Sequence, residues 1–165
     1  MRLITNAILL LPLLATSAYA ANPLPDALSA PGTTPALTTH AEGEQVYECK
    51  AGADGKLVLT FREPKATLAA DGKVVGHHSA GPTWELTDGS AVVAKAAGSA
   101  PGKTANDIAW LKLEVTTHRG TGKLADVTTV QRINTVGGKL DGSCERAAET
   151  RGVPYTADYV FLRKG

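Results

Sequence analysis

From Gln45 onward the chain alternates hydrophobic and polar residues in short runs. Gln45 to Lys50 alternates with Tyr47 and Cys49 on one side, and Leu57-Val-Leu-Thr-Phe61 puts Leu57, Leu59 and Phe61 on one face. Trp110-Leu-Lys-Leu-Glu-Val115 sets Leu111, Leu113 and Val115 against Lys112 and Glu114. Val127 to Val136 is rich in β-branched residues, and Tyr155, Ala157, Tyr159 and Phe161 share one face of the last run. Successive side chains of a strand point to opposite faces, so a period of two is what half-buried strands require. Between the runs, Asp54-Gly55, Asp71-Gly72, Asp88-Gly89 and Asp141-Gly142 are tight-turn dipeptides, and Gly120-Thr-Gly122 and Gly137-Gly138 mark further turns. Short strands with frequent turns predict an all-β fold, an antiparallel β-sandwich or barrel with little helix. Ala91 to Ala97 reads as readily as a strand edge as a helix. Ser143 to Thr150 has room for one or two helical turns, and residues 96–107, with Gly98, Pro101 and Gly102, read as a flexible loop.

The pattern is different before residue 45. Met1-Arg2, a largely apolar run from Leu3 to Leu14 and the small residues Ala18 and Ala20 follow the order of a cleavable secretory signal over residues 1–20. The apolar run is shorter than the roughly 20 residues of a spanning helix. Residues 21–44 carry Pro23, Pro25, Pro31, Gly32 and Pro35 among Ala, Ser and Thr, the composition of a flexible lead. A single β domain is expected over residues 45–165. The implied location is the periplasm or the exterior, with no stable membrane insertion after signal cleavage.

Charge removes some function classes. The chain has 17 basic and 16 acidic residues, and Arg2 is the only charged residue of the first twenty. The exported form is thus formally neutral, which gives no basic face for nucleic acid or for an anionic membrane. The two cysteines, Cys49 and Cys144, are expected to pair as a structural disulfide in an oxidising compartment.

No Gly-rich phosphate loop, nucleophile elbow, His-Glu-x-x-His zinc helix or Cys-x-x-Cys pair is present. The densest chemistry is Gly76-His-His-Ser-Ala-Gly-Pro-Thr-Trp-Glu-Leu-Thr-Asp-Gly-Ser90. Gly81-Pro82 interrupts any strand through the histidines. His77 and His78 point to opposite faces of a regular strand, and Trp84 and Leu86 share a face opposite Thr83 and Glu85. Three readings follow for this stretch. It is a metal site of His77 or His78 with an acidic residue and His118 or His40; an acid–base site of a histidine with Glu85 or Asp88; or a structural turn around a core tryptophan. Cofactor and metal content stay unassigned.

Trp84, Trp110, Tyr47, Tyr155 and Tyr159 offer flat faces with polar tips, suited to a ligand pocket or to a core. Trp110 lies on the parity of Lys112 and Glu114, which favours it over Trp84 for an exposed or pocket position. In Gln131-Arg-Ile-Asn-Thr-Val-Gly-Gly138, Arg132 and Asn134 share one face. A strand arginine grips a ligand carboxylate through its planar fork or, the preferred reading here, an internal one on Glu85, Asp88 or Asp158.

Several of these segments recur together in a known order. Val46-Tyr-Glu-Cys49, His78-x-Ala-Gly-Pro-Thr-Trp-Glu-x-x-Asp-Gly-Ser90, Ile108-Ala-Trp-Leu111, Val130-Gln-Arg-Ile-Asn-Thr-Val-Gly-Gly138, Cys144 and Val153-Pro-Tyr-Thr-Ala-Asp-Tyr159 together resemble the domain of unknown function 3455 family of secreted bacterial and fungal proteins. The resemblance spans about residues 45–162 and implies no established activity. Some fungal members carry a malate dehydrogenase label, but this chain has neither a nucleotide-binding glycine fingerprint nor alternating strand–helix units. His78 fills the shared position of the family's His-Tyr-Ala-Gly-Pro pattern, with Ser79 in place of the tyrosine, which favours His78 over His77. The preferred expectation is a non-enzymatic module that binds a small molecule or an envelope component. Its candidate residues are His77, His78, Trp84, Glu85, Asp88, Trp110 and Arg132. The alternative is a metal-dependent or acid–base enzyme using His77 or His78 with Glu85 or Asp88.

Overall fold

The computed structural model describes residues 24–165, so the expected signal over residues 1–20 lies outside the described residues. Eight antiparallel strands follow one another around a closed barrel: β1 (Thr33–Ala51), β2 (Leu57–Ala70), β3 (Lys73–Ser79), β4 (Thr83–Leu86), β5 (Ala91–Ala100), β6 (Trp110–Arg119), β7 (Val127–Gly137) and β8 (Thr150–Lys164). Closure comes from β1 against β8, in register from Thr33 opposite Lys164 to Glu48 opposite Thr150. The alternation read from the sequence sets the interior. Tyr155, Ala157, Tyr159 and Phe161 are buried along β8, and Leu113, Val127 and Val130 face them from β6 and β7. Trp84 and Leu86 both point inward from β4, as their shared parity requires.

The segment expected to be a flexible lead is ordered from residue 24. Asp26–Leu28 forms a 3-10 turn, and residues 33–44 are the first half of β1. Pro35 fits because it precedes the pairing of β1 with β2, which begins at His40, and because it adjoins a bulge against β8. The 3-10 turn straps the outside of the barrel. Leu28 is fully buried, its carbonyl accepts 2.7 Å from Gln131 Nε2, and Lys112 Nζ donates to Ser29 O at 3.0 Å. Gly98 is what lets the strap lie flat, since a Cβ there would strike the carbonyl of Ala27.

Other local expectations change with tertiary pairing. The Ala-rich run is strand β5, and Ser143–Thr150 carries no helix. Part of that second segment lies along β2 instead, with Leu59 N donating to Gly142 O and Cys144 N to Leu57 O. The 96–107 stretch is strand to Ala100 and then a pinned loop. The expected buried face of β2 fails at Phe61, which is 49% exposed. Pairing of β2 with β3 runs only from Ala66, so the first half of β2 projects past its neighbour. Cys49 and Cys144 form the expected disulfide, with a Cα separation of 5.9 Å and a sequence separation of 95. A closed loop of that length contributes about 4–5 kcal/mol in the chain-entropy description.

The strap yields a direct stability prediction. Leu28→Ala is expected to cost about 2–3 kcal/mol in urea denaturation, and to expose residues 24–31 to limited proteolysis. A variant with wild-type stability and wild-type protease resistance would contradict this packing.

Candidate functional site

The short β3–β4 hairpin positions the first two site residues. His78 faces inward on β3, and Trp84 is its cross-strand partner on β4. The intervening Gly81-Pro82 bond is cis, and Thr83 Oγ1 donates to Ala80 O at 2.8 Å across the turn. The two rings stack with centroids 4.4 Å apart and planes 8° from parallel. Tyr159 of β8 meets both edge-on, at 5.0 Å from His78 and 5.4 Å from Trp84. Such edge and stacked geometries are those that aromatic quadrupoles favour.

His78 Nδ1 lies 2.9 Å from the Thr83 carbonyl, which can only accept, so Nδ1 carries the proton. In the neutral ring Nε2 is then an unprotonated acceptor. Burial lowers the pKa of His78 to about 3; the Thr83 carbonyl pulls it up, and the positive charge of Arg132 pushes it down further. A ring that stays neutral to that pH supplies no general acid at neutrality. Burial also raises the phenol of Tyr159 well above its usual value, so Tyr159 stays protonated. The indole Nε1 of Trp84 and the amide Nε2 of Gln45 are buried without a hydrogen-bond partner.

Arg132 reaches this cluster from β7. Its Nε and Nη2 both donate to the carbonyl of Ala109, at 3.1 and 2.8 Å. Ala109 is held by a loop organised on Asp107. One carboxylate oxygen of Asp107 accepts 2.7 Å from Gly137 N, and the other accepts 2.8 Å from both the Thr104 amide and the Thr104 hydroxyl. The Gly137 amide, followed by the Thr104 hydroxyl, holds the Asp107 carboxyl below its ordinary pKa. Thr135 Oγ1 adds a 2.6 Å bond to the Ile108 carbonyl.

The internal salt bridge expected for Arg132 is not formed. Among the described residues no carboxylate lies within ion-pair distance of its guanidinium. Glu85 pairs instead with Arg119 at 3.3 Å, and Asp158 binds His40 at 2.8 Å and Asn134 at 2.9 Å. Asp88 accepts from the Ser90 hydroxyl and the Lys123 amide. Asn134 does not share a face with Arg132, because the register slips between Ile133 and Val136 and Asn134 takes a φ of 51°.

A cavity of about 250 Å³ opens over His78, Trp84 and Tyr159. Phe61 and Pro64 of β2, Leu111 and Leu113 of β6 and the Gly81-Pro82 turn wall it, and Arg132 closes one side. A shallower groove of about 450 Å³ adjoins it, sharing Phe61, Leu111 and Arg132. Of the residues singled out in the sequence, His78, Trp84, Arg132 and Tyr159 therefore meet, and Tyr47 lines the adjoining groove. His77 and Glu85 are exposed cross-strand partners on the outer face, and Asp88 sits at the β4–β5 turn. Trp110 lines neither cavity. Among the described residues no three His, Cys, Asp or Glu side chains gather as a metal-binding set, and His118 Nε2 donates to Val127 O at 2.7 Å. The sequence pattern places Phe61, Leu111 and Leu113 on strand faces and residues 96–107 in a loop, but it does not mark them, or Pro64, as site residues. Thr104-x-x-Asp107, a short polar residue three positions before an acceptor, is the local signal that could have revealed the Asp107 loop.

The architecture is thus a closed eight-stranded antiparallel barrel with an aromatic cavity at one end. The model of the family described as Protein of unknown function (DUF3455) matches residues 30–73 and 69–163, and the chain belongs to that family. No curated protein and no solved structure matches it.

The buried imidazole predicts a pH dependence. His78 is neutral in the folded state down to about pH 3 but protonates near its ordinary value of 6.5 when unfolded. The unfolded state then binds the extra proton, so stability falls as pH drops below 6.5, by up to about 1.4 kcal/mol per pH unit. Urea denaturation between pH 4.5 and 6.5 checks this, a window above the titration of the low-pKa carboxyls of Asp88 and Asp107. His78→Gln is expected to flatten the slope, and an equal slope in that variant would contradict the assignment.

Proposed function

We propose that this protein is an exported, non-enzymatic binding module whose barrel interior holds one small organic molecule over His78, Trp84 and Tyr159. The observation that carries the reading is the walled aromatic cavity of about 250 Å³ beside an arginine without a counter-ion. Eight-stranded barrels are just wide enough to enclose one small ligand. Buried polar edges left free by the protein, such as Trp84 Nε1, are what a ligand site offers for orientation.

Export is supported by the signal-like order of residues 1–20 and by the Cys49–Cys144 disulfide. No helix among the described residues is long and apolar enough to cross a membrane. The strands carry exposed charges outward, at Glu42, Lys65, Glu85, Lys95, Glu114 and Arg119, opposite in pattern to the apolar outer band of a membrane barrel. Acid–base catalysis by His78 with Glu85 or Asp88 gains no support from a neutral, inward ring set apart from both carboxylates, and the cross-strand pair His77 and Glu85 lies on the exposed outer face, away from the cavity.

Native mass spectrometry of protein purified from an oxidising compartment tests the proposal, together with a thermal-shift panel of small organic molecules. A ligand at roughly 100 times its Kd stabilises the fold by about 2.7 kcal/mol, a rise of several degrees in Tm. Leu111→Trp, which fills the cavity, is expected to stay folded and lose that rise. No bound mass and no stabilising compound would overturn the reading.

A further inference from the structure

We infer that the cavity selects a small monocarboxylate, received by the free Nη1–Nη2 edge of Arg132 with its apolar body against Phe61, Leu111 and Leu113. This inference rests on the binding function proposed above and names its class of ligand.

A guanidinium has five N–H bonds in a fixed plane. In Arg132 the Nε–Nη2 edge is spent on the Ala109 carbonyl, which also fixes the orientation of the plane. Three N–H bonds remain, one of them within reach of the Tyr159 hydroxyl. The Nη1–Nη2 edge that is left offers two parallel donors, the arrangement that matches the two oxygens of a carboxylate.

The charge balance favours an anion there. The cavity wall carries two arginines and no carboxylate. Arg62 is exposed and is answered by Glu63, 3.5 Å away, whereas Arg132 is half-buried and answered only by neutral groups, the Ala109 carbonyl and the Tyr159 hydroxyl. A sequestered cation without a counter-charge is costly, and an arriving anion relieves that cost.

The remaining surfaces limit the ligand to one charge. His78 is neutral, and its Nε2 presents a lone pair rather than a proton. A second carboxylate beside it would meet an acceptor with an acceptor. Leu111, Leu113, Phe61 and Pro64 are apolar and favour a hydrocarbon or aromatic body. Phosphate, with its greater charge and three acceptor oxygens, would find only one uncompensated cation.

Isothermal titration calorimetry with 3-phenylpropionate and octanoate, each against its primary amide, tests the inference on the wild-type protein. Each carboxylate is expected to bind about tenfold or more tightly than its amide. Arg132→Gln is expected to erase the difference, Arg132→Lys not to restore it for want of the planar fork, and Arg62→Gln to leave it intact. Amides that bind as tightly as the acids, or a difference that survives in folded Arg132→Gln, would overturn the carboxylate assignment and leave the binding function standing. If neither acids nor amides bind, and the broader panel also fails, both fall. The wild-type comparison decides the matter even if a variant folds poorly.

Discussion

The hydrogen bonds between β1 and β8 turn one antiparallel sheet into a cylinder, and both the core and the cavity depend on that closure. A sheet of this kind has one apolar face and no helical layer to cover it, so the face must be sealed by the sheet itself. The two closing strands are also the longest, Thr33–Ala51 and Thr150–Lys164. They bring Tyr155, Tyr159 and Phe161 to the same interior that receives His78 and Trp84 from the short β3–β4 hairpin. The disulfide ties the far end of β1 to the segment entering β8, restraining the seam from outside the ladder.

Closure also explains why the interior is polar at one end. Where β2 outruns β3, the barrel lacks a full ring of side chains, and the space is edged by Phe61, the Gly81-Pro82 turn and Arg132. Elsewhere Asp107, Thr135 and Gln131 are satisfied by the protein, whereas Thr39 Oγ1 and Trp110 Nε1 are buried without a partner. At this end the indole of Trp84, the amide of Gln45 and the outer edge of Arg132 are likewise unsatisfied. Unmet hydrogen-bonding groups of this kind are uncommon in interiors, and each calls for a physical explanation.

Much of the fold was legible because strand alternation is local. The parity of Tyr155 to Phe161, the inward turn of Trp84, the opposite directions of His77 and His78 and the break at Gly81-Pro82 all follow from neighbouring residues. The errors arose where pairing is non-local. Residues 33–44 look disordered in composition but are held on one side by β8 and, from His40, on the other by β2. The polar parity of Trp110 on its strand predicts a pocket position for it. In a closed barrel the cavity lies on the apolar side, so Leu111 and Leu113 line it and Trp110 does not. The missing salt bridge of Arg132 could not be read at all. Its partner is a backbone carbonyl, brought within reach by a loop that Asp107 organises. A backbone carbonyl leaves no mark in the residue pattern.

Arg132 is held inside the barrel without a counter-ion, beside an open aromatic cavity. The decisive measurement is a crystal structure of the ligand-free protein at neutral pH, at a resolution that shows ordered water. Arg132 should rest on the Ala109 carbonyl with its other edge facing water or an unfilled cavity, and no protein carboxylate should lie within ion-pair reach. A guanidinium paired with a carboxylate of the chain, or a cavity filled by its own side chains, would contradict this arrangement.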